Sequence, residues 1–159
     1  MILSHTEAFS MLLFTLFSFA DLRYRLVPAI ELFFLGAAIL SVPASPIQVL
    51  LVIAAVAWGL IERLPGWLPG LLLFYPPTWP VLIAGVGVRK SLIGRADLLA
   101  LGGIACIFPW YALILALLGF ELWRRWWNNR GIPGPIPAIP GLFLGLACFV
   151  VVRYFVALI

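Results

Sequence analysis

The stretch Phe19-Ala20-Asp21-Leu22-Arg23-Tyr24-Arg25-Leu26-Val27-Pro28 decides how the chain is read. It closes an apolar run from Ile2 to Ala20 with an aspartate, two arginines and a proline. A cleaved secretory signal carries its basic residues ahead of the apolar run, and here they follow it. The same order orients a retained membrane span. Lys and Arg accumulate on the cytoplasmic side, so the N-terminus is expected outside. A carboxylate at the centre of a membrane helix costs about 2.5–3.5 kcal/mol on insertion scales, so an aspartate at the edge of such a run asks for a reason.

Composition widens this reading to the whole chain. The 159 residues are 65% hydrophobic and 10% charged, with a mean hydropathy of +1.17. A soluble domain is about 45–50% apolar and about 25% charged. The expectation is an all-α integral membrane protein, a single membrane-embedded domain over 1–159. It has room for about six transmembrane helices of ~20 residues and for no separate soluble part. Ten basic against six acidic residues do not point to nucleic acid, because no basic stretch carries the aromatic interleaving of a single-strand binder. Cys106 and Cys148 form no CxxC pair, and His5 has no companions for a metal site. No metal and no cofactor are expected.

Spans are bounded by proline and charge. They run from Ile2 to Ala20, Pro28 to Val42, Ile47 to Ile61, Ile93 to Phe108, Trp110 to Trp123 and Ile139 to Leu158. Pro43-Ala44-Ser45-Pro46 makes one turn and Pro109 another. Neither carries Lys or Arg, as external loops should not. Arg23, Arg25, Arg63, Arg89, Lys90, Arg95, Arg124, Arg125 and Arg130 then fall on the cytoplasmic side, and only Arg153 falls outside. The stretch from Leu64 to Val88 has basic flanks and an apolar interior broken by Pro76, Pro77 and Pro80. It reads as a re-entrant or interfacial element. Arg124-Arg125-Trp126-Trp127-Asn128-Asn129-Arg130 reads as a basic, Trp-rich loop, an interfacial belt on lipid headgroups.

The chain has two aspartates, Asp21 and Asp97. On this topology Asp21 ends the first span, and Asp97 starts a span from the same side. Two carboxyls sharing a proton keep an acid and a base available together, which is the chemistry of aspartic peptidases. A structural role is equally open. Asp97 suits a helix N-terminus, and Asp21 suits a pair with Arg25 one turn on. Glu31, one turn into the second span, either tunes the aspartates or snorkels to the surface. Glu62 and Glu121 border basic loops and read as interfacial salt-bridge partners.

Three short motifs carry a resemblance. Asp21-Leu22-Arg23-Tyr24-Arg25-Leu26-Val27-Pro28 resembles the Asp-x-x-x-Arg-x-(Ile/Val)-Pro signature of type IV prepilin peptidases. Gly94-Arg95-Ala96-Asp97 resembles the Gly-x-Gly-Asp motif that holds that family's second aspartate. Pro137-Ala138-Ile139-Pro140-Gly141-Leu142-Phe143-Leu144-Gly145 is similar to its Pro-Phe-Gly-Pro-x-Leu-x-x-Gly stretch, at Pro137, Pro140, Leu142 and Gly145. Ala96 and Ala29 stand where the family has glycine and asparagine, and Leu99 where it has lysine.

The resemblance implies a membrane aspartic endopeptidase of the GxGD type in a prokaryotic inner membrane. It would cleave the basic leader of a prepilin-like, pseudopilin or archaellin-like precursor at the cytoplasmic face. Asp21 and Asp97 would be the catalytic pair, with Arg25, Pro28, Gly94, Arg95, Ala96, Pro137 and Pro140 in support. The family's CxxC methyltransferase part has no counterpart here, so cleavage without methylation is expected. Two alternatives stay open: a catalytically inactive relative acting as a membrane scaffold, and a small proton-coupled transporter.

Overall fold

Proline sets most of the helix boundaries. A computed structural model describes residues 4–24, 29–91, 93–132 and 136–157. They form α1 (His5–Tyr24), α2 (Ile30–Ser41), α3 (Pro46–Leu60), α4 (Leu68–Leu72), a 3₁₀ turn (Pro76–Thr78), α5 (Trp79–Arg89), α6 (Arg95–Ile107), α7 (Trp110–Asn129) and α8 (Ala138–Val156). No strand occurs among the described residues. The all-α expectation therefore holds. α2 stops short of Pro43, and α3 opens on Pro46, where the missing N–H removes only a donor that a helix start leaves over. α6 ends ahead of Pro109.

The stretch from Leu64 to Val88 is broken as its prolines require, into α4, the 3₁₀ turn and the 11-residue α5. The Thr78 hydroxyl contacts the Leu72 and Tyr75 carbonyls, each at 2.7 Å, and the Trp79 indole donates to the Leu73 carbonyl at 2.8 Å. These bonds satisfy carbonyls that the breaks leave over.

α7 runs further than its apolar segment. Arg124 to Asn129, expected as a loop, continue the helix. Glu121 holds this turn and a half. Its Oε2 accepts from Arg124 Nε at 2.7 Å and its Oε1 from Arg125 Nε at 2.8 Å, at i,i+3 and i,i+4 spacing. Trp123 and Trp126 stack at 4.9 Å between ring centroids, and Arg130 lies over the Trp126 ring at 5.4 Å.

Among the described residues, only α8, at 19 residues, is long and apolar enough to cross a membrane. α2, α3 and α6 have 12, 15 and 13 residues. At 1.5 Å per residue they extend about 18–22 Å, against a hydrocarbon core of about 30 Å.

The chain divides into two compact units, Met1–Pro28 with Tyr111–Ile159, and Ala29–Trp110. In the first, α1 and α7 both run antiparallel to α8. Glu7 on α1 meets Arg153 on α8, and Asp21 meets Ile139. Tyr111 on α7 packs on Phe149, while Phe120 packs beside Gly141. The α7–α8 contact is made through small residues. A Cβ on Gly145 would lie 2.5 Å from Ala116 Cα and would also strike the Leu115 carbonyl. Gly141 and Gly145 thus form a GxxxG seam that lets two backbones touch.

α1 is inverted relative to a helix of a soluble protein. Its buried residues are Glu7, Ser10, Phe14, Ser18 and Asp21, all but one polar. Phe9, Leu12, Leu16 and Phe19 are exposed. The Ser10 and Ser18 hydroxyls donate to the carbonyls four residues back, each at 2.7 Å.

In the second unit α6 is the centre, and every residue from Leu98 to Cys106 is buried. Gly102 and Gly103 admit the Phe34 and Phe33 rings of α2; a Cβ on Gly102 would lie 2.9 Å from Phe34 Cε2. α3 and α5 meet at Gly59 and Gly85, where a Cβ on Gly59 would lie 2.8 Å from Gly85 Cα. At one end Gln48 Nε2 donates to the Ala105 carbonyl at 2.7 Å. At the other, the ends of α3 and α5 and the start of α6 gather with Arg89 and Arg95.

Candidate functional site

Asp21 sits in the last turn of α1, buried. Its Oδ2 accepts the backbone N–H of Ile139 at 3.2 Å, 118 residues away in sequence. Ile139 is the second residue of α8, and Pro137 is the N-cap. A helix start leaves four N–H groups without internal partners. Pro137 and Pro140 have no N–H, so two of the four are absent, and Asp21 takes the Ile139 amide. The first and third sequence motifs therefore meet directly. The α8 dipole also favours negative charge at this point.

Asp97 occupies the third position of α6. Its Oδ2 accepts the N–H of Gly94, the N-cap residue, at 3.1 Å. This is the acidic half of a capping box; Gly94 has no side chain to supply the other half. A Cβ on Gly94 would stand 3.1 Å from that oxygen, so the glycine leaves the carboxylate room to fold back. Gly94 itself has φ −73° and ψ 153°, so space and not backbone freedom selects it. Arg95 is exposed at the first position of α6, and Ala96 is half-buried.

Each aspartate thus binds a backbone amide at a helix N-terminus, Asp21 in the first unit and Asp97 in the second. Pro137 and Pro140 lie in the first unit with Asp21, while Gly94, Arg95 and Ala96 lie in the second with Asp97. Arg25 and Pro28 fall outside the described residues. A carboxyl held in this way accepts a proton when ionised and donates one when protonated, the two half-roles of acid–base hydrolysis.

The charge distribution is consistent within each unit. In the first, Arg23, Arg124 and Arg125 lie toward the Asp21 end of their helices, where α8 starts. In the second, Arg89 and Arg95 line the end where α6 begins, with Lys90 next in sequence. Arg89 is also structural. Its Nε and Nη2 donate to the Trp58 carbonyl at 2.9 and 2.6 Å, and its Nη2 donates to the Ile61 carbonyl at 2.9 Å. The guanidinium lies 4.0 Å from the Trp58 ring centroid. It closes the C-terminus of α3, where cations are favoured.

Sequence reasoning passed over Glu7. It is buried, its Oε1 accepts from Arg153 at 2.9 Å, and its Oε2 accepts the Ser4 N–H at 2.7 Å. Ser4-x-x-Glu7 is a complete capping box, since the Glu7 N–H donates to the Ser4 hydroxyl at 3.2 Å. The spacing was readable in the sequence. Arg153 is therefore paired with a carboxylate. Glu121 makes the expected ion pairs, whereas Glu62 makes none among the described residues.

Comparisons with protein-family models, with curated proteins and with solved structures return no match to this chain.

Proposed function

We propose that the chain is a multi-pass membrane aspartic endopeptidase of a prokaryotic inner membrane. It cleaves the basic leader of a prepilin-like or pseudopilin precursor at the cytoplasmic face. Asp21 and Asp97 divide the acid and base roles in activating a water, and no cofactor enters the reaction. The membrane half of this reading is supported by α1, which buries Glu7, Ser10, Ser18 and Asp21 while exposing Phe9, Leu12, Leu16 and Phe19. A soluble protein rarely exposes a continuous apolar stripe of that kind. In lipid the arrangement is the favourable one. About six membrane-crossing or membrane-embedded helices follow, the short ones accommodated by local thinning of the bilayer.

The catalytic half is carried by one observation. In each unit taken by itself, the aspartate lies at the end that gathers arginine, and the positive-inside rule gives both ends the cytoplasmic address. The three motifs supply the reaction class. The test is cleavage of a synthetic precursor, with a basic leader, a small residue at the cut and an apolar helix after it, by the purified protein in lipid nanodiscs. Asp21→Asn and Asp97→Asn are each expected to abolish cutting. Retained cutting in either variant removes the mechanism.

A second reading is favoured by a specific observation. Both carboxylates are engaged in helix capping, which suits a non-catalytic scaffold of the same ancestry. The two readings separate on restoration. A scaffold is inert as it stands, and Ala96→Gly creates cleavage from none.

A further inference from the structure

At one end of the second unit, the C-termini of α3 and α5 and the N-terminus of α6 form an open cavity of about 440 Å³. Pockets for small ligands fall in this size range. Its walls include Glu62, Arg89, Ser91, Ile93, Gly94 and Arg95. Among the described residues the side chains of Glu62, Ser91 and Arg95 make no hydrogen bond or ion pair. Arg89 directs Nε and Nη2 to backbone carbonyls, which leaves Nη1. Arg63 and Lys90 adjoin lining residues in sequence. The cavity therefore offers cationic donors and a hydroxyl on a positive background, with one carboxylate.

That pattern matches a group bearing a phosphate and an amine. The exposed Ile61, between the lining residues Leu60 and Glu62 and hydrogen-bonded through its carbonyl to Arg89, gives hydrocarbon chains a surface beside it. We propose that this cavity is a phospholipid-headgroup site. Arg95 and Arg89 Nη1 hold the phosphate, the Ser91 hydroxyl donates to a phosphate oxygen, and Glu62 accepts from a primary ammonium. Ethanolamine headgroups are preferred over glycerol headgroups, which lack the amine, and over choline headgroups, whose quaternary nitrogen has no N–H to donate. The proposal rests on the membrane half of the reading above and not on the peptidase half.

The test is lipid retention by native mass spectrometry, after the purified protein in micelles is reloaded with equal amounts of the three lipids carrying identical acyl chains. Ethanolamine lipid is expected to dominate. Arg95→Gln lowers retention of ethanolamine and glycerol lipids alike by about tenfold, the loss of one charge-assisted contact. Glu62→Gln, at an exposed position, keeps binding but removes the preference for ethanolamine over glycerol. Arg125→Gln, the same loss of charge outside the cavity, leaves the lipid ratio unchanged. Equal retention of the three lipids, or an Arg95→Gln variant that folds and retains lipid as before, overturns the site. Displacement of the lipid by millimolar soluble phosphoethanolamine overturns the lipid as the source of the phosphate. None of these readouts depends on precursor cleavage, so this proposal and the peptidase reading fail separately.

Discussion

Replacing Asp21 by asparagine and by alanine separates its two roles. Asparagine keeps a side-chain oxygen for the Ile139 N–H, now 3.2 Å from Oδ2, and gives up the charge. It forfeits the charge–dipole contribution at α8, about 0.3–1 kcal/mol. Alanine removes the acceptor as well. A lost N-cap costs about 0.5–2 kcal/mol and an orphaned buried amide about 1–3 kcal/mol, and these describe the same event, so about 2 kcal/mol is the combined figure. Alanine leaves the Ile139 N–H without this acceptor, and Pro137 at the N-cap has no polar side chain to replace it. Reversible denaturation in detergent, followed by far-UV circular dichroism, measures stability, and mass spectrometry of the precursor peptide measures cutting. The expected result is Asp21→Asn folded within about 1 kcal/mol of the parent yet inactive, and Asp21→Ala both inactive and about 2 kcal/mol weaker. A fully stable alanine variant refutes the capping argument; cleavage by the asparagine variant refutes the catalytic one.

Other perturbations bear on the frame. Gly145→Ala places a methyl against Ala116 and the Leu115 carbonyl, and is expected to destabilise by about 1–3 kcal/mol in the same denaturation assay. Ala29, at the start of α2, has φ 58°. Ala29→Gly, which adopts that conformation without the Cβ penalty, is expected to raise stability by about 1 kcal/mol. Glu7→Ala breaks the capping box and leaves Arg153 without its carboxylate, for a loss of about 1–3 kcal/mol. Glu7→Gln, which keeps the capping acceptors, is expected to lose less.

Breaks between helices were legible because proline acts locally: Pro43, Pro46, Pro76 and Pro109 each end, start or interrupt an element through a missing donor or a steric clash. Extensions were harder to read. Asp21 to Tyr24 remain helical, and Arg124 to Asn129 prolong α7, because charge and indole rings do not stop a helix. What holds that last segment is Glu121 reaching Arg124 and Arg125, a side-chain geometry that a search for apolar runs passes over. The candidate residues were legible as residue types, and their local roles were half legible. Asp97 was recognisable as an acid near a helix start. Asp21 caps α8 from 118 residues away, and no local pattern encodes that partner; Arg25, the partner that spacing offers one turn on, lies outside the described residues.

The first unit is assembled from two separated segments with the second unit between them in sequence. Its cap and its Glu7–Arg153 ion pair close over 118 and 146 residues. During vectorial synthesis α1 therefore emerges with Glu7 and Asp21 before Arg153 and Ile139 have been made. The intervening segment is contiguous and has no such wait. Until α8 arrives, α1 lacks the two contacts that tie its ends to that helix, so the first unit closes only once α8 has been made.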